Sequence, residues 1–278
     1  MSDASPAPMP PHLDLDAGGT ALDALVVIPM MRDRFPDLLD NYGWMLRAGD
    51  RVACVDVARA APHLEAAEAR GWRITDVLLT HHHPDHVEGV GELVRETGAT
   101  VWGAAADRSR LPRLDHALEP GGTVELGDAS ARVWDVSGHT VGHVAYVFDG
   151  IAFTGDSLMN GGCGRLFEGS PEQMHASLAQ FADLPEDTLI ASGHEYTATN
   201  LHFALTLEPG NAALISRLKE ARTALVRGAP TVPTPLETER RTNPFLRCHL
   251  PGLKAATGTE GRPDTETFAA ARRGRDAF

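Results

Sequence analysis

The chain has 278 residues, 42% of them hydrophobic, with 38 acidic against 25 basic residues and a formal charge of −13. That length suits one large domain, or a core domain with a smaller companion. So negative a surface repels nucleic-acid backbones and anionic membranes, and no stretch approaches the roughly 20 apolar residues of a membrane-spanning helix.

In chain order, the opening Ser2-Asp3-Ala4-Ser5-Pro6-Ala7-Pro8-Met9-Pro10-Pro11 reads as part of a disordered or extended tail over residues 1–22. The first basic residue is Arg32, too late for a secretory or mitochondrial leader. A cytoplasmic protein is expected. Apolar, β-branched runs follow at Leu25–Ile28, Val52–Val55, Ile74–Leu79, Thr100–Trp102, Ala131–Val136, His143–Phe148 and Thr188–Ala191, each read as a strand. Helical patterns lie over 61–70 and 86–97, and over 171–182, where Ser170-Pro171 forms an N-cap with proline at the first helical position. This mixture predicts a layered α/β core domain over 23–195. Beyond residue 195 the strand signal stops, and 196–278 reads as a helical domain: helices at 197–208 and 211–227, a Pro-rich connector at 229–235, a loop over 253–264, and a final helix to Arg275. The three cysteines, Cys54, Cys163 and Cys248, are odd in number and form no CxxC pair, so neither a disulfide framework nor a thiolate zinc site is expected.

The run His81-His82-His83-Pro84-Asp85-His86 follows the strand ending at Leu79 and opens a helix. In extended chain, alternate side chains share a face. His81 and His83 therefore point one way and His82 the other, while Pro84 turns the chain and presents Asp85 and His86. Two pairs of donors with different directions suit two metal ions rather than one. Packed imidazoles with no metal would repel on protonation. Four further positions could complete the site: His139, His143, Asp156 and His194, each preceded by Gly. Spacing does not choose between His139 and His143. The remaining histidines (His12, His63, His116, His175, His202 and His249) lack such settings.

Thr80-His81-His82-His83-Pro84-Asp85-His86 resembles the signature of the metallo-β-lactamase fold superfamily. Asp40–Tyr42, Ser137–His143, Phe153–Leu158 and Gly161–Gly169 extend the resemblance. Gly193–Thr197, Glu208–Asn211 and Asn243–Arg247 narrow it to glyoxalase II, the hydroxyacylglutathione hydrolases. The resemblance implies an αββα four-layer sandwich followed by a helical substrate-binding domain. It implies that His81, His83 and His139 hold one divalent metal, that Asp85, His86 and His194 hold a second, and that Asp156 bridges them. Asp85 and Asp156 then serve catalysis as ligands, and His82 and His143 are set aside. Zinc is the expected ion, with iron and manganese compatible with the same nitrogen and oxygen donors. Glutathione contacts carried over by position fall on Arg165, Phe167, Tyr196, Arg272 and Arg275. Three of these depart from the family pattern, where Lys, Tyr and Lys are usual at Arg165, Phe167 and Arg275. Val57 also stands where Pro is common, with a structural effect expected.

The implied reaction is hydrolysis of glutathione thioesters, chiefly S-D-lactoylglutathione to D-lactate and glutathione in methylglyoxal detoxification, by a metal-bridged hydroxide. A free thiol has a pKa of about 8.5, so the leaving thiolate needs little help from a general acid. The expected protein is a monomer whose partner is the small-molecule thioester, with no nucleic acid or membrane. The alternative on the same fold is a glutathione persulfide dioxygenase with one iron, which typically lacks the helical domain and the Gly-His-Glu-Tyr-Thr segment. A β-lactamase and a nucleic-acid-processing enzyme fit less well. Arg272→Ala is expected to raise KM more than it lowers kcat.

Overall fold

The computed structural model describes residues 7–278, and its architecture follows from strands that bury both of their faces. Seven strands form the first sheet: β1 (Leu13–Leu15), β2 (Ala24–Met30), β3 (Asn41–Ala48), β4 (Arg51–Val55), β5 (Asp76–Leu78), β6 (Thr100–Ala104) and β7 (His116–Leu118). They lie in that order, antiparallel through β4 and parallel from β4 to β7. The second sheet contains β8 (Thr123–Leu126), β9 (Ala129–Asp135), β10 (Val144–Phe148) and β11 (Ile151–Gly155). After a two-strand ribbon, β12 (Leu158–Met159) and β13 (Gly162–Cys163), it is completed by β14 (Leu189–Ser192) and β15 (Thr234–Pro235). Its order is β15-β14-β11-β10-β9-β8.

Side-chain alternation builds the layers. Leu25 and Val27 of β2 and Val144, Tyr146 and Phe148 of β10 meet in the core between the sheets. Val26 and Ile28, one residue out of phase, face α1 (Ala60–Glu68) and α3 (Val90–Thr97) across the first sheet. Ala145 and Val147 face α4 (Pro171–Ala179) across the second. The result is the αββα sandwich the sequence implied. After β14 come α5 (Thr197–Leu207), α6 (Ala212–Val226), α7 (Leu236–Thr242), α8 (Pro251–Thr257) and α9 (Asp264–Ala277). Leu201 and Ala204 of α5 pack on Leu214 and Leu218 of α6, and Phe268 of α9 joins the core beneath α4.

Several expectations are corrected. The tail expected over 1–22 is partly sheet: Leu13–Leu15 pair with Val27–Leu25 of β2, a segment too short to show periodicity. Residues 1–6 lie outside the described residues. Strands do not end at 195, because the Pro-rich connector returns as β15 on the sheet's edge, where proline's missing N–H is tolerated. Part of the loop expected over 253–264 is α8, opened by Pro251 and closed by Gly258 in a left-handed conformation. The helix expected over 86–97 is broken into α2 (Pro84–Val87) and α3 at Gly89, where a Cβ would lie 2.7 Å from the backbone of Arg59 and Ala60. No helix of the described residues is long and apolar enough to cross a membrane.

Candidate metal centre

The candidate ligands come from loops at one edge of the sandwich, most at the C-terminal ends of strands. His81 and His83 follow β5, Asp85 and His86 open α2, His139 lies between β9 and β10, Asp156 ends β11, and His194 follows β14. The His81, His83 and His139 donors lie within 4.8 Å of one another, as do those of Asp85, His86 and His194. In the first triad, His83 Nδ1 is 3.1 Å from His81 Nε2 and 2.9 Å from His139 Nε2. In the second, His86 Nε2 is 3.2 Å from His194 Nε2, and Asp85 Oδ2 is 3.5 Å from the latter.

Asp156 reaches both triads. Its Oδ2 is 3.5 Å from His139 Nε2 and 3.1 Å from His194 Nε2, and its Oδ1 is 3.5 Å from His86 Nε2. That Oδ1 is buried with no hydrogen-bond donor of its own. A buried carboxylate oxygen left so is costly unless a cation meets it.

The tautomers point to the same conclusion. His139 Nδ1 is 2.7 Å from the Arg165 carbonyl and His194 Nδ1 is 3.0 Å from the Leu39 carbonyl. A carbonyl only accepts, so each Nδ1 carries the proton and each Nε2 presents a lone pair to the centre. Burial, reinforced by neighbouring imidazoles, holds His81 well below the usual histidine range, and burial with His139 pushes His83 down to about 4. Burial opposes the charged form of Asp156 too, yet His194 and His86 keep its carboxyl well below the carboxylate range. His86 goes the other way: burial disfavours its cation, but Asp156 and Asp56 outweigh that and raise it to about 10. Among these carboxylates positive charge is strongly favoured. Imidazoles held neutral at His81, His83 and His139, three nearby carboxylates and one unpartnered oxygen fit a pair of divalent cations.

Glycine is needed beside two of these ligands. A Cβ at Gly193 would meet Asp156 Oδ1 at 2.6 Å and the His86 ring at 2.7 Å. Gly155, at φ +48°, would meet Thr80 Oγ1 at 2.5 Å.

His143, left open by spacing, is not in either triad. Its Nε2 accepts from the Asp156 backbone N–H at 3.1 Å, and its ring stacks on His81 at 4.6 Å. His82 turns away from the centre toward Asp107. Two supporting residues were missed. Asp56, just past β4, accepts from Thr80 N and Thr80 Oγ1 and holds His86 Nδ1 at 2.8 Å. Its place after an apolar strand was the available signal, as for Asp156. Asn41 donates to Asp85 Oδ2 at 3.1 Å across 44 residues, and only its place in the resembling segment Asp40–Tyr42 marked it, with no role attached. At Val57 the backbone N–H donates to the His86 carbonyl at 2.7 Å, a bond that proline there could not make. Asp56→Ala is expected to weaken cation binding at the Asp85–His86–His194 triad by about 10- to 100-fold, measured by chelator competition.

A cavity of about 640 Å³ opens over the centre, lined by Arg165, Phe167, Tyr196, Arg272 and Arg275, and also by Arg32 and Leu39. Phe167 is exposed and turns its ring edge to His83 and His139. Tyr196 stacks on His194 at 4.9 Å. The arginines differ in freedom. Arg272 is buried: Nη1 donates to the Cys163 carbonyl at 2.6 Å and Nη2 to Asp276 at 3.1 Å. Among the described residues, Arg275 is tied only through Nε, to Asn200 Oδ1 at 3.1 Å. Arg272→Ala would thus disturb the loop carbonyls as well as any ligand, and Arg275 is the cleaner probe. Cys163 also lines the cavity, but burial pushes its thiol up to about 11, which makes it no nucleophile.

The metallo-β-lactamase superfamily model matches residues 37–194, and the model of the hydroxyacylglutathione hydrolase C-terminus matches 195–278. A hydroxyacylglutathione hydrolase of Jannaschia sp. (strain CCS1) is 52% identical over 247 residues, which cover 87% of this chain and 96% of the relative. The chain belongs to the hydroxyacylglutathione hydrolase family. Another hydroxyacylglutathione hydrolase, from Methylococcus capsulatus (strain ATCC 33009 / NCIMB 11132 / Bath), is 51% identical over 249 residues, 88% of this chain and 97% of its own. Among solved structures, the BLEG-1 B3 metallo-β-lactamase superposes with a TM-score of 0.61 at 20% identity, covering 80% of this chain and 99% of its own. ETHE1 from Myxococcus xanthus superposes with a TM-score of 0.57 at 20% identity, covering 94% and 96%. These two share the fold with this hydroxyacylglutathione hydrolase family member.

Proposed function

We propose that the chain hydrolyses glutathione thioesters, chiefly S-D-lactoylglutathione to D-lactate and glutathione, as a cytoplasmic monomer. The observation that carries this reading is the pair of triads sharing Asp156 beneath a cavity rimmed by Arg165, Arg272 and Arg275. Membership of the family supports the substrate. His81, His83 and His139 would hold one ion, Asp85, His86 and His194 the other, and Asp156 both. Zinc suits the set. A neighbour that superposes with a TM-score of 0.54 at 26% identity, TTHA1623, was solved in a di-iron-bound form, which supports two ions and keeps iron as the second choice. Bound divalent ions supply Lewis acidity and water acidified toward neutral pH.

The chain's own groups do the rest. Arg275 and Arg165 meet the carboxylates of glutathione, and Phe167 and Tyr196 flank its path to the centre. At Phe167 no hydroxyl is offered, so one substrate hydrogen bond available to a Tyr is absent. The departing thiolate is stable enough to leave without an acid. Residues 23–195 would form the catalytic unit and 196–278 the substrate-binding unit.

Arg275→Ala is expected to raise KM for lactoylglutathione by about tenfold, the loss of one charge-assisted hydrogen bond, with kcat changed less than twofold. Steady-state thiol-release kinetics read both. A fall in kcat at constant KM would count against carboxylate binding by this arginine.

A further inference from the structure

His82 is the one member of the histidine run that neither triad uses, yet it is not idle. Its Nδ1 is 2.9 Å from Asp107 Oδ2 and its Nε2 is 3.6 Å from Glu168 Oε1. Arg110 ion-pairs with both of those carboxylates. Glu168 Oε2 accepts the Val141 backbone N–H at 2.9 Å. Asp107 is fully buried, and a Cβ on Gly142 would lie 2.1 Å from its Oδ1, so the loop of Val141 and Gly142 is pressed against it.

Three loops that build the first triad and its approach therefore converge on one ion-paired cluster. The 80–83 loop supplies His81 and His83, and the 137–143 loop supplies His139. The 164–169 loop carries Arg165, whose carbonyl holds the His139 ring, and Phe167, whose N–H donates to the His139 carbonyl at 3.2 Å. Alternation along extended chain explains the coupling. With His82 anchored outward, His81 and His83 must face the centre. With Glu168 turned outward, Phe167 faces the cavity. The second triad has a different anchor, Asp56 on His86, and Asp56 also accepts from Thr80, whose Oγ1 lies 3.0 Å from His81 Nδ1.

We propose that His82, Asp107, Arg110 and Glu168 form a clamp that positions the His81–His83–His139 triad, a support given to that triad and not to Asp85, His86 and His194. These are positioning residues: they touch neither ion nor substrate. The inference rests on the two-ion reading of the site, which the wild-type ion count tests by itself.

The test is chelator competition on the zinc-loaded full chain, following release of each ion, for wild type, His82→Ala, His82→Asn, Asp107→Ala and Asp56→Ala. Asn keeps an N–H donor near the place of the histidine Nδ1. His82→Ala and Asp107→Ala are expected to release one ion at about 10- to 100-fold lower chelator concentration and the other as in wild type. His82→Asn is expected to restore the lost affinity. Combining His82→Ala with Asp56→Ala is expected to weaken both ions. Should Asp107→Ala fail to fold, the half-exposed Arg110→Ala reads the same asymmetry. Equal weakening of both ions in the His82 and Arg110 variants would mean a general loss of stability and would overturn the clamp, as would unchanged release of both. Fewer than two ions in wild type would instead overturn the two-ion reading, and the clamp with it.

Discussion

Asp156→Asn is expected to reduce kcat/KM for lactoylglutathione by more than about a hundredfold, because partners outside the ligand set already cost 10- to 100-fold and Asp156 touches both triads. Its Oδ1 and Oδ2 lie within 3.5 Å of ring nitrogens from His86, His139 and His194. The amide keeps the side chain's volume and one oxygen but removes the charge that two cations would share. The metal-free protein should lose stability as well, because against its burial His194 and His86 hold the Asp156 carboxyl well below the carboxylate range, so its charge is net favourable. Denaturation of the chelated proteins reads that loss. Two tightly bound ions and wild-type kcat/KM in Asp156→Asn would count against Asp156 as a shared ligand.

The second large effect concerns stability. Glu239 of α7 is fully buried and ion-pairs with Arg217 of α6. It also accepts from the Gly161 N–H at 2.8 Å, Thr234 Oγ1 at 2.8 Å and Asn243 Nδ2 at 3.0 Å. Glu239→Ala strips all of these donors at once and strands the Arg217 charge. The expected loss is about 3–5 kcal/mol, that of breaking a buried ion pair from one side, read by urea denaturation. Glu239→Ala with Arg217→Met should recover only part of it, since the Gly161 N–H remains unpaired. A loss below about 1 kcal/mol would place the pair among those of surface value. The consequence reaches the site, because the network fixes the turn between Asp156 and Arg165. Asn160 in that turn accepts from Ser192 Oγ at 2.7 Å, two residues before His194.

What the sequence revealed about the centre, and what it hid, follow from the distance over which each signal acts. Six of the seven candidate ligands were legible as residues because each sits in a loop where an apolar strand ends or a Gly admits close approach, a local pattern. His81 and His83 were legible even as to direction, because extended chain alternates. His139 and His143 were not separable, since both follow Gly in one loop and only the partner carbonyl of Arg165 distinguishes them. The roles of Asn41 and Asp107 were invisible, although Asn41 lies in the resembling segment Asp40–Tyr42: their partners Asp85 and His82 lie 44 and 25 residues away. In the fold, β3 escaped because it holds no β-branched residue and is interrupted by Gly43. α8 escaped because its Gly and Thr content masked the proline that starts it. Arg272 was legible as a basic residue near the substrate but not as one committed to the Cys163 carbonyl.

The most direct test of the account joins two readings on one sample: metal content per chain and thiol release from S-D-lactoylglutathione. Two ions per chain, with hydrolysis that vanishes on chelation and returns on adding zinc, is the expected result. A single iron per chain with no thioester turnover would contradict it and leave the fold without the proposed chemistry.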